Sequence, residues 1–529
     1  MRKIWIFTFL LFSFKLSAQE IFQINQSPHV EIDGVNLSAA FAGGINSAQI
    51  QTIDLNGDQV EEWVTWDINS RQLLVFKKEG ETFTHLPEMS YSFPTDISGF
   101  LVFKDFDGDG KKDLFTSTAL GIKAYKNTTT GNQVSWGVAQ NFLKIDGSGN
   151  IQTNNLDTPL IQDLDGDGDL DLVIFNFAGG DYMEFYKNTS VERKGTADID
   201  GFAFGENHWG NFEFCGCGDI SFGKTCSGQD LNARKFADEN DKILHSGGHS
   251  ILYQDLDDDG ISDLLLGRDE CNVLYFLPNS GTNETPFFTS FSNELPGFGP
   301  LPDFPVFHIG TLQNNELIIS LNSNEPSVNY GIDFSNSILR IKDGGNTSVF
   351  LQNQMIDLGE NSRPIFLGNK ASGELLVTSN VTEGGKVKSV RNRFQVFNGL
   401  FSKVEGEYVN LTQLDLVDAQ YIHFRDKSGA LQVLASGIDY NASIPTQVIF
   451  DLNDMQSDPL TFSGYNPQRG DFLQFFTYQQ KDHLLVASQN GSLDLYEVDF
   501  TTYQTTLLQE NFLGFVDNPA NRSRTTTQA

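Results

Sequence analysis

Positive charge is what this chain has least of. Its 529 residues hold 35 Lys and Arg against 69 Asp and Glu, a formal net charge of −34. Binding to nucleic acid by counterion release needs clustered Lys and Arg, so that class of partner is excluded. The same shortage disfavours an anionic membrane surface and favours cations as partners. Long apolar runs are missing after the first twenty residues. No later segment approaches the ~18 apolar residues of a spanning helix, so membrane insertion is not expected. Catalytic signatures are missing too: there is no H-E-x-x-H, no G-x-S-x-G and no P-loop. No catalytic residue and no organic cofactor is therefore assigned, and 69 acids single out no carboxylate pair for glycoside chemistry.

What the chain does have begins with its first residues, "MRKIWIFTFLLFSFKLSAQE". A basic start (Arg2, Lys3), a short apolar run and small residues Ser17 and Ala18 predict a secretion signal over 1–18. The mature chain is then expected outside the cell or on its surface. Four cysteines in such a compartment predict up to two disulfides. They are Cys215, Cys217, Cys226 and Cys271. A bond between Cys215 and Cys217 would be strained, so each is expected to pair with Cys226 or Cys271, with no choice between the two arrangements.

Laying the chain against itself exposes a repeat. "TIDLNGDQVEEWVTWD" (52–67), "FKDFDGDGKKDLFTST" (103–118), "IQDLDGDGDLDLVIFN" (161–176) and "YQDLDDDGISDLLLGR" (253–268) each give an apolar strand, a nine-residue acidic loop and a second strand. The loops start 51, 58 and 92 residues apart. Periods near 50 point to propeller blades. The same rhythm continues without acids at 304–324, 363–380, 420–437 and 472–491, and third strands follow, such as "GIKAYKN" (121–127). The fold expected is all-β, a propeller of four-stranded antiparallel blades, eight or else seven in number. Radial closure deals with the edges that so many short strands would expose. The run "IFQI" (21–24) could close the ring as a strand of the last blade. The long third interval marks an insertion at about 205–248 that holds three of the cysteines.

The acidic loops carry the chemistry. Acids at positions 1, 3 and 5, a carbonyl at 7 and an acid at 9 wrap oxygen ligands around a hard cation. Glycine at 6 permits the required reversal. Donors without sulfur or nitrogen disfavour zinc and copper, and six to eight oxygens in loose geometry select Ca²⁺ over Mg²⁺. An EF-hand needs Glu at position 12 between helices. Here position 12 is Thr65, Thr116, Ile174 or Leu266, already inside a strand.

These loops resemble the FG-GAP/VCBS repeats of integrin α-subunit propellers and of many bacterial secreted proteins. The resemblance rests on Asp-x-Asp-Gly-Asp-Gly-x-x-Asp, clearest in Asp163–Asp171 and Asp105–Asp113. It implies a propeller over 19–516, a tail at 517–529, and a calcium in the loop between the first two strands of a blade. By position, one site is Asp105, Asp107, Asp109, Lys111 (carbonyl) and Asp113. The next two are Asp163, Asp165, Asp167, Asp169 (carbonyl) and Asp171, and Asp255, Asp257, Asp259, Ile261 (carbonyl) and Asp263. A fourth is Asp54, Asn56, Asp58, Val60 (carbonyl) and Glu62, which departs from the pattern at Gln59 and Glu62. Structural sites of extracellular type bind on the order of 10⁻⁴–10⁻³ M.

The resemblance also implies a module that presents loops to an extracellular protein or glycan, for binding or adhesion. The alternatives are a secreted polysaccharide lyase or glycoside hydrolase on the same scaffold, since fold does not fix function, or a structural segment of a longer surface protein. Lesser candidates are His308 and His423 facing a channel. Another is zinc held by Cys215, Cys217, Cys226, His245 and His249. The last is the aromatic insertion (Phe202, Phe204, His208, Trp209, Phe212, Phe214), either as a cap on blade three or as a ligand-facing loop.

Overall fold

The structure, a computed structural model, describes residues 28–515 apart from 146–148, 232–247, 304–307, 314–315, 343, 370, 406–410 and 455–457. The predicted signal at 1–18, the run 21–24, His245 and the tail at 517–529 lie outside the described residues. The chain is all-β. Its longest described helix, Ser190–Lys194, has five residues, and no helix is long and apolar enough to cross a membrane.

Eight meandering antiparallel sheets follow one another along the chain, spanning 48–85, 101–140, 160–207, 249–277, 308–349, 360–404, 416–451 and 472–509. They are called sheets one to eight below. Sheets one, two, five and eight have four strands; sheets four and seven have three. Sheet six gains the N-terminal strand His29–Ile32, which pairs in parallel with Leu400–Val404. Local sequence explains the hairpins. Ala48–Ile53 and Glu62–Asp67 are rich in β-branched and aromatic residues, and the acids between them cannot be buried in a ladder. The residue before each acidic loop faces position 9 across the ladder: Ile53 opposite Glu62, Lys104 opposite Asp113, Gln162 opposite Asp171, Gln254 opposite Asp263. The acid at 9 is thus the first residue of the second strand.

Apolar clusters show how the sheets assemble. Phe103 and Leu114 of sheet two join Val64 and Trp66 of sheet one. Phe115 joins Leu172 and Ile174 of sheet three, and Val173 and Phe175 join Leu264 and Leu266 of sheet four. Leu265 and Phe276 join Leu317 and Ile319 of sheet five. The fifth cluster returns to the start, setting Ile318, Ile338 and Phe350 against Trp63, Phe76 and Phe83 of sheet one. Ser320 Oγ donates to the Ala48 carbonyl across that seam, and Gln49 Nε2 donates to Asn322 Oδ1 at 3.0 Å.

Five sheets therefore close on themselves around a cavity of about 260 Å³, lined by their first strands, an arrangement consistent with a propeller. The expected count of eight or seven blades in a single ring is not confirmed. Sheet five offers its apolar face to sheet one, so no face remains open for sheet six to enter the ring. Sheets six, seven and eight instead stack in series. Leu376 packs with Tyr421 and Val433, Leu434 with Phe475 and Leu484, while Val377 and Phe394 cover Val30 and Ala40.

Candidate metal centres in four acidic loops

The four loops share one backbone. The first acid accepts at least two amide protons from within its own loop. Asp105 takes those of Gly108 (2.9 Å) and Gly110 (2.7 Å). Asp163 takes those of Gly166 and Gly168, and Asp54 those of Gly57 and Gln59. In the last loop Asp255 takes those of Asp259 and Gly260. The acid at 5 accepts from the amide at 7: Asp109 from Lys111, Asp167 from Asp169, Asp259 from Ile261, Asp58 from Val60. Position 6 is left-handed throughout, at Gly110 (φ 85°), Gly168 (100°), Gly260 (89°) and also Gln59 (68°). The departure at Gln59 is one of sequence, not of path.

The acid at position 9 is buried in every loop: Glu62, Asp113, Asp171 and Asp263 are all 3% exposed or less. Asp113 Oδ2 accepts from the Phe106 amide at 3.1 Å, and Asp171 Oδ2 from Leu164 at 3.1 Å. Burial raises these acids, Asp113 and Asp171 to about 7 and Asp263 to about 6, and neighbouring acids push the same way. A carboxyl drawn out of water among like charges lowers its free energy when a cation joins it.

Ligand atoms converge in three of the loops. Asp105, Asp107 and Asp113 form one group, Asp163, Asp165 and Asp171 a second, and Asp255, Asp257 and Asp259 a third, each with atoms within 4.8 Å of one another. Any of them could hold a metal ion. Asp107 Oδ1 is buried without a hydrogen-bond partner, and every donor is oxygen, the set a hard cation takes. Asp263 does not join the third group. Loop one forms no such group among the described residues. There Asn56 stands at position 3, and its amide donates to Glu62 at 2.9 Å.

Two features lie outside the nine-residue spacing. Glu192, on the short helix after sheet three's third strand, forms a group with Asp165 and Asp167. Lys126 and Lys187 reach into the second and third loops. Lys126 pairs with Asp107 and, at 3.1 Å, with Asp109; Lys187 pairs with Asp165, Asp167 and Glu192. Both pairings raise the lysine pKa through the acids they touch. The repeated "YKN" at 125–127 and 186–188 is the signal that would have found them.

The remaining candidates resolve individually. Cys215 pairs with Cys226 and Cys217 with Cys271. No thiol is left for zinc, and His249 is buried against Asp157 (2.7 Å) and stacked on Phe175. The zinc alternative is thereby overturned. Trp209, Phe212 and Phe214 are buried in the cluster between sheets three and four, so these three aromatics act as a cap, whereas Phe202 packs in the cluster between sheets two and three. Phe204 is exposed on sheet three's fourth strand, and His208 bonds Glu213 at 2.7 Å. His423 sits half-buried in sheet seven, where burial lowers its pKa, away from the five-sheet cavity. His308 opens the first strand of sheet five.

Comparison with known proteins adds one family. The profile of a family described as an FG-GAP-like repeat matches residues 105–174, which hold the second and third loops. No curated protein matches the chain. A solved lectin from Agrocybe aegerita, from a study of specific recognition of non-reducing terminal N-acetylglucosamine, is similar over 65% of this chain and 80% of its own. Its identity is 14% and the TM-score 0.25, a level at which nothing about its ligand carries over.

Proposed function

We propose that this chain is an exported calcium-binding propeller that serves as a binding or adhesion module for an extracellular protein or glycan. In this reading sheets one to five are the propeller and sheets six to eight an attached unit. Ca²⁺ is held in the second, third and fourth loops by the position 1, 3, 5 and 9 acids and the carbonyl at 7, and more weakly in the first. Each ion would cancel the repulsion among its acids and pin two strands of a hairpin together.

The observation that carries the reading is the shared loop backbone, in which the first acid folds the turn and an all-oxygen set converges. The FG-GAP-like match over 105–174 supports it. Two disulfides fit an oxidising compartment outside the cytosol.

Calorimetry on the metal-stripped chain, with and without millimolar Ca²⁺ or Mg²⁺, tests the metal. An ion at 100 times its Kd stabilises the folded state by about 2.7 kcal/mol per site. A melting temperature that ignores Ca²⁺ sinks the proposal. A panel of extracellular proteins and polysaccharides, scored for retention and for newly released reducing or unsaturated ends, tests the binding role. Release without retention would select the enzyme.

A further inference from the structure

A groove of about 1270 Å³ runs between sheet six, the segment 40–46 that precedes sheet one, and Ser70 and Gln72 of sheet one. It is larger than the ~300–1,000 Å³ of a pocket for a drug-sized ligand. Among the described residues its lining contains no Asp, Glu, Lys or Arg. Charged residues make up 20% of this chain, so their absence from this lining is a selective feature. Phe41 and Phe366, 39% and 41% exposed, present rings to the opening. Phe401 meets Phe41 edge-on, centroids 5.7 Å apart. Amide side chains stand among the rings. Asn361 donates its Nδ2 to Asp418 at 2.6 Å, and Asn46 donates its Nδ2 to Asn69 at 2.8 Å. Both side chains are thereby fixed, and both residues line the groove.

We propose that this groove is a binding site for a neutral oligosaccharide several rings long. The inference rests on the binding-module reading and names its ligand. Rings suit the apolar faces of pyranoses, and anchored amides suit their hydroxyls. A wholly apolar ligand would take these polar amides out of water and offer them no hydrogen bond in return. An anionic glycan would enter a groove whose described lining offers no Lys or Arg, with His29 its one ionisable side chain, on a chain of net charge −34.

Titration calorimetry of the full chain with hexaoses tests the site. The neutral probes are cello-, manno- and chitohexaose; hexagalacturonate is the anionic probe. At least one neutral hexaose should bind, hexagalacturonate should not, and Phe366→Ala and Gln72→Ala, the latter removing another amide of the lining, should each weaken the neutral probe at least tenfold. Phe366 is exposed, and an unchanged melting temperature in each variant confirms the fold. Equal affinity in wild type and Phe366→Ala overturns the groove while leaving the binding role standing. Tighter binding of hexagalacturonate than of any neutral probe overturns the choice of ligand. Binding seen only in a Phe22→Ser chain would assign the groove to the chain's own segment 19–27, and also overturns the proposal. No retention of any glycan or protein, in this test and in the panel above, fails the binding reading itself.

Discussion

The Asn127 backbone amide donates to Asp113 Oδ1 over 2.7 Å, tying the third strand of sheet two to the first residue of its second. Asp113 Oδ2 holds the Phe106 amide at the entrance of the acidic loop. The same clamp joins Asn188 to Asp171 and Asn279 to Asp263, each at 2.8 Å. In each case the asparagine side chain returns a bond to the loop, to the carbonyl of Lys112, Leu170 or Ser262. The position 9 acid thus ties the loop entrance and the second strand to the chain at or just after the third strand.

Removing it should be costly. Asp113→Ala leaves two buried amides unpaired, at about 1–3 kcal/mol each, so stability should fall by about 2–6 kcal/mol. Asp113→Asn keeps one acceptor oxygen and should fall by roughly half as much. Urea midpoints measured in chelator isolate this role from any metal. A midpoint for Asp113→Ala within error of wild type would show that the clamp contributes nothing.

The left-handed turn at position 6 makes a second prediction. Left-handed backbone costs an L-residue roughly 1–2 kcal/mol, and glycine loses about 0.5–1 kcal/mol in chain entropy. Gln59→Gly should therefore stabilise the chain by about 0.5–1 kcal/mol. Gly110→Ala should destabilise it by a similar amount, since no atom lies within 4 Å of the added Cβ and only conformation is at stake. Opposite signs in the two urea midpoints are expected. Equal signs would contradict the shared path of the loops.

Local chemistry was legible in the sequence, and assembly was not. The run 121–127 is a strand over those same residues, and the acidic loops sit in hairpins where the spacing put them, because glycine, acid and apolar residues act within a few positions. Ring closure depends on Ile318 and Phe350 fitting Trp63 and Phe83, more than 230 residues earlier in sequence. A repeat counts units without saying which faces meet. The clamp was missed because its partners to Asp113 are backbone amides, which any residue supplies.

Disulfide pairing, left open by the sequence, leads to a third prediction. Cys217–Cys271 spans 54 residues and ties the insertion hairpin to sheet four, whereas Cys215–Cys226 spans 11 within the insertion. Loop-closure entropy gives about 4 kcal/mol for the longer loop and about 3 kcal/mol for the shorter. The Cys217→Ser/Cys271→Ser pair should accordingly melt lower than Cys215→Ser/Cys226→Ser. Peptide mapping under non-reducing conditions checks the connectivity first; a Cys215–Cys271 peptide would refute it.

The fourth prediction concerns Asp357, where the chain leaves the five-sheet ring. Its Oδ2 accepts from the Ile45 amide at 3.1 Å and from Gln352 Nε2 at 2.8 Å. Burial raises its pKa to about 6 despite those bonds, and the charge on Asp67 adds to the rise. A carboxyl raised on folding holds its proton in the native state when the unfolded chain has lost it. Its contribution is then fully present below pH ~4 and declines as pH rises to about 6. The loss is at most about 3 kcal/mol, at 1.36 kcal/mol per pKa unit. Asp357→Asn keeps one oxygen for Ile45 and Gln352 and carries no charge at any pH. It should melt higher than wild type at pH 8, match it near pH 4, and show a shallower slope between. Parallel stability curves for the two proteins across that window would mean that Asp357 titrates normally and that its burial costs nothing.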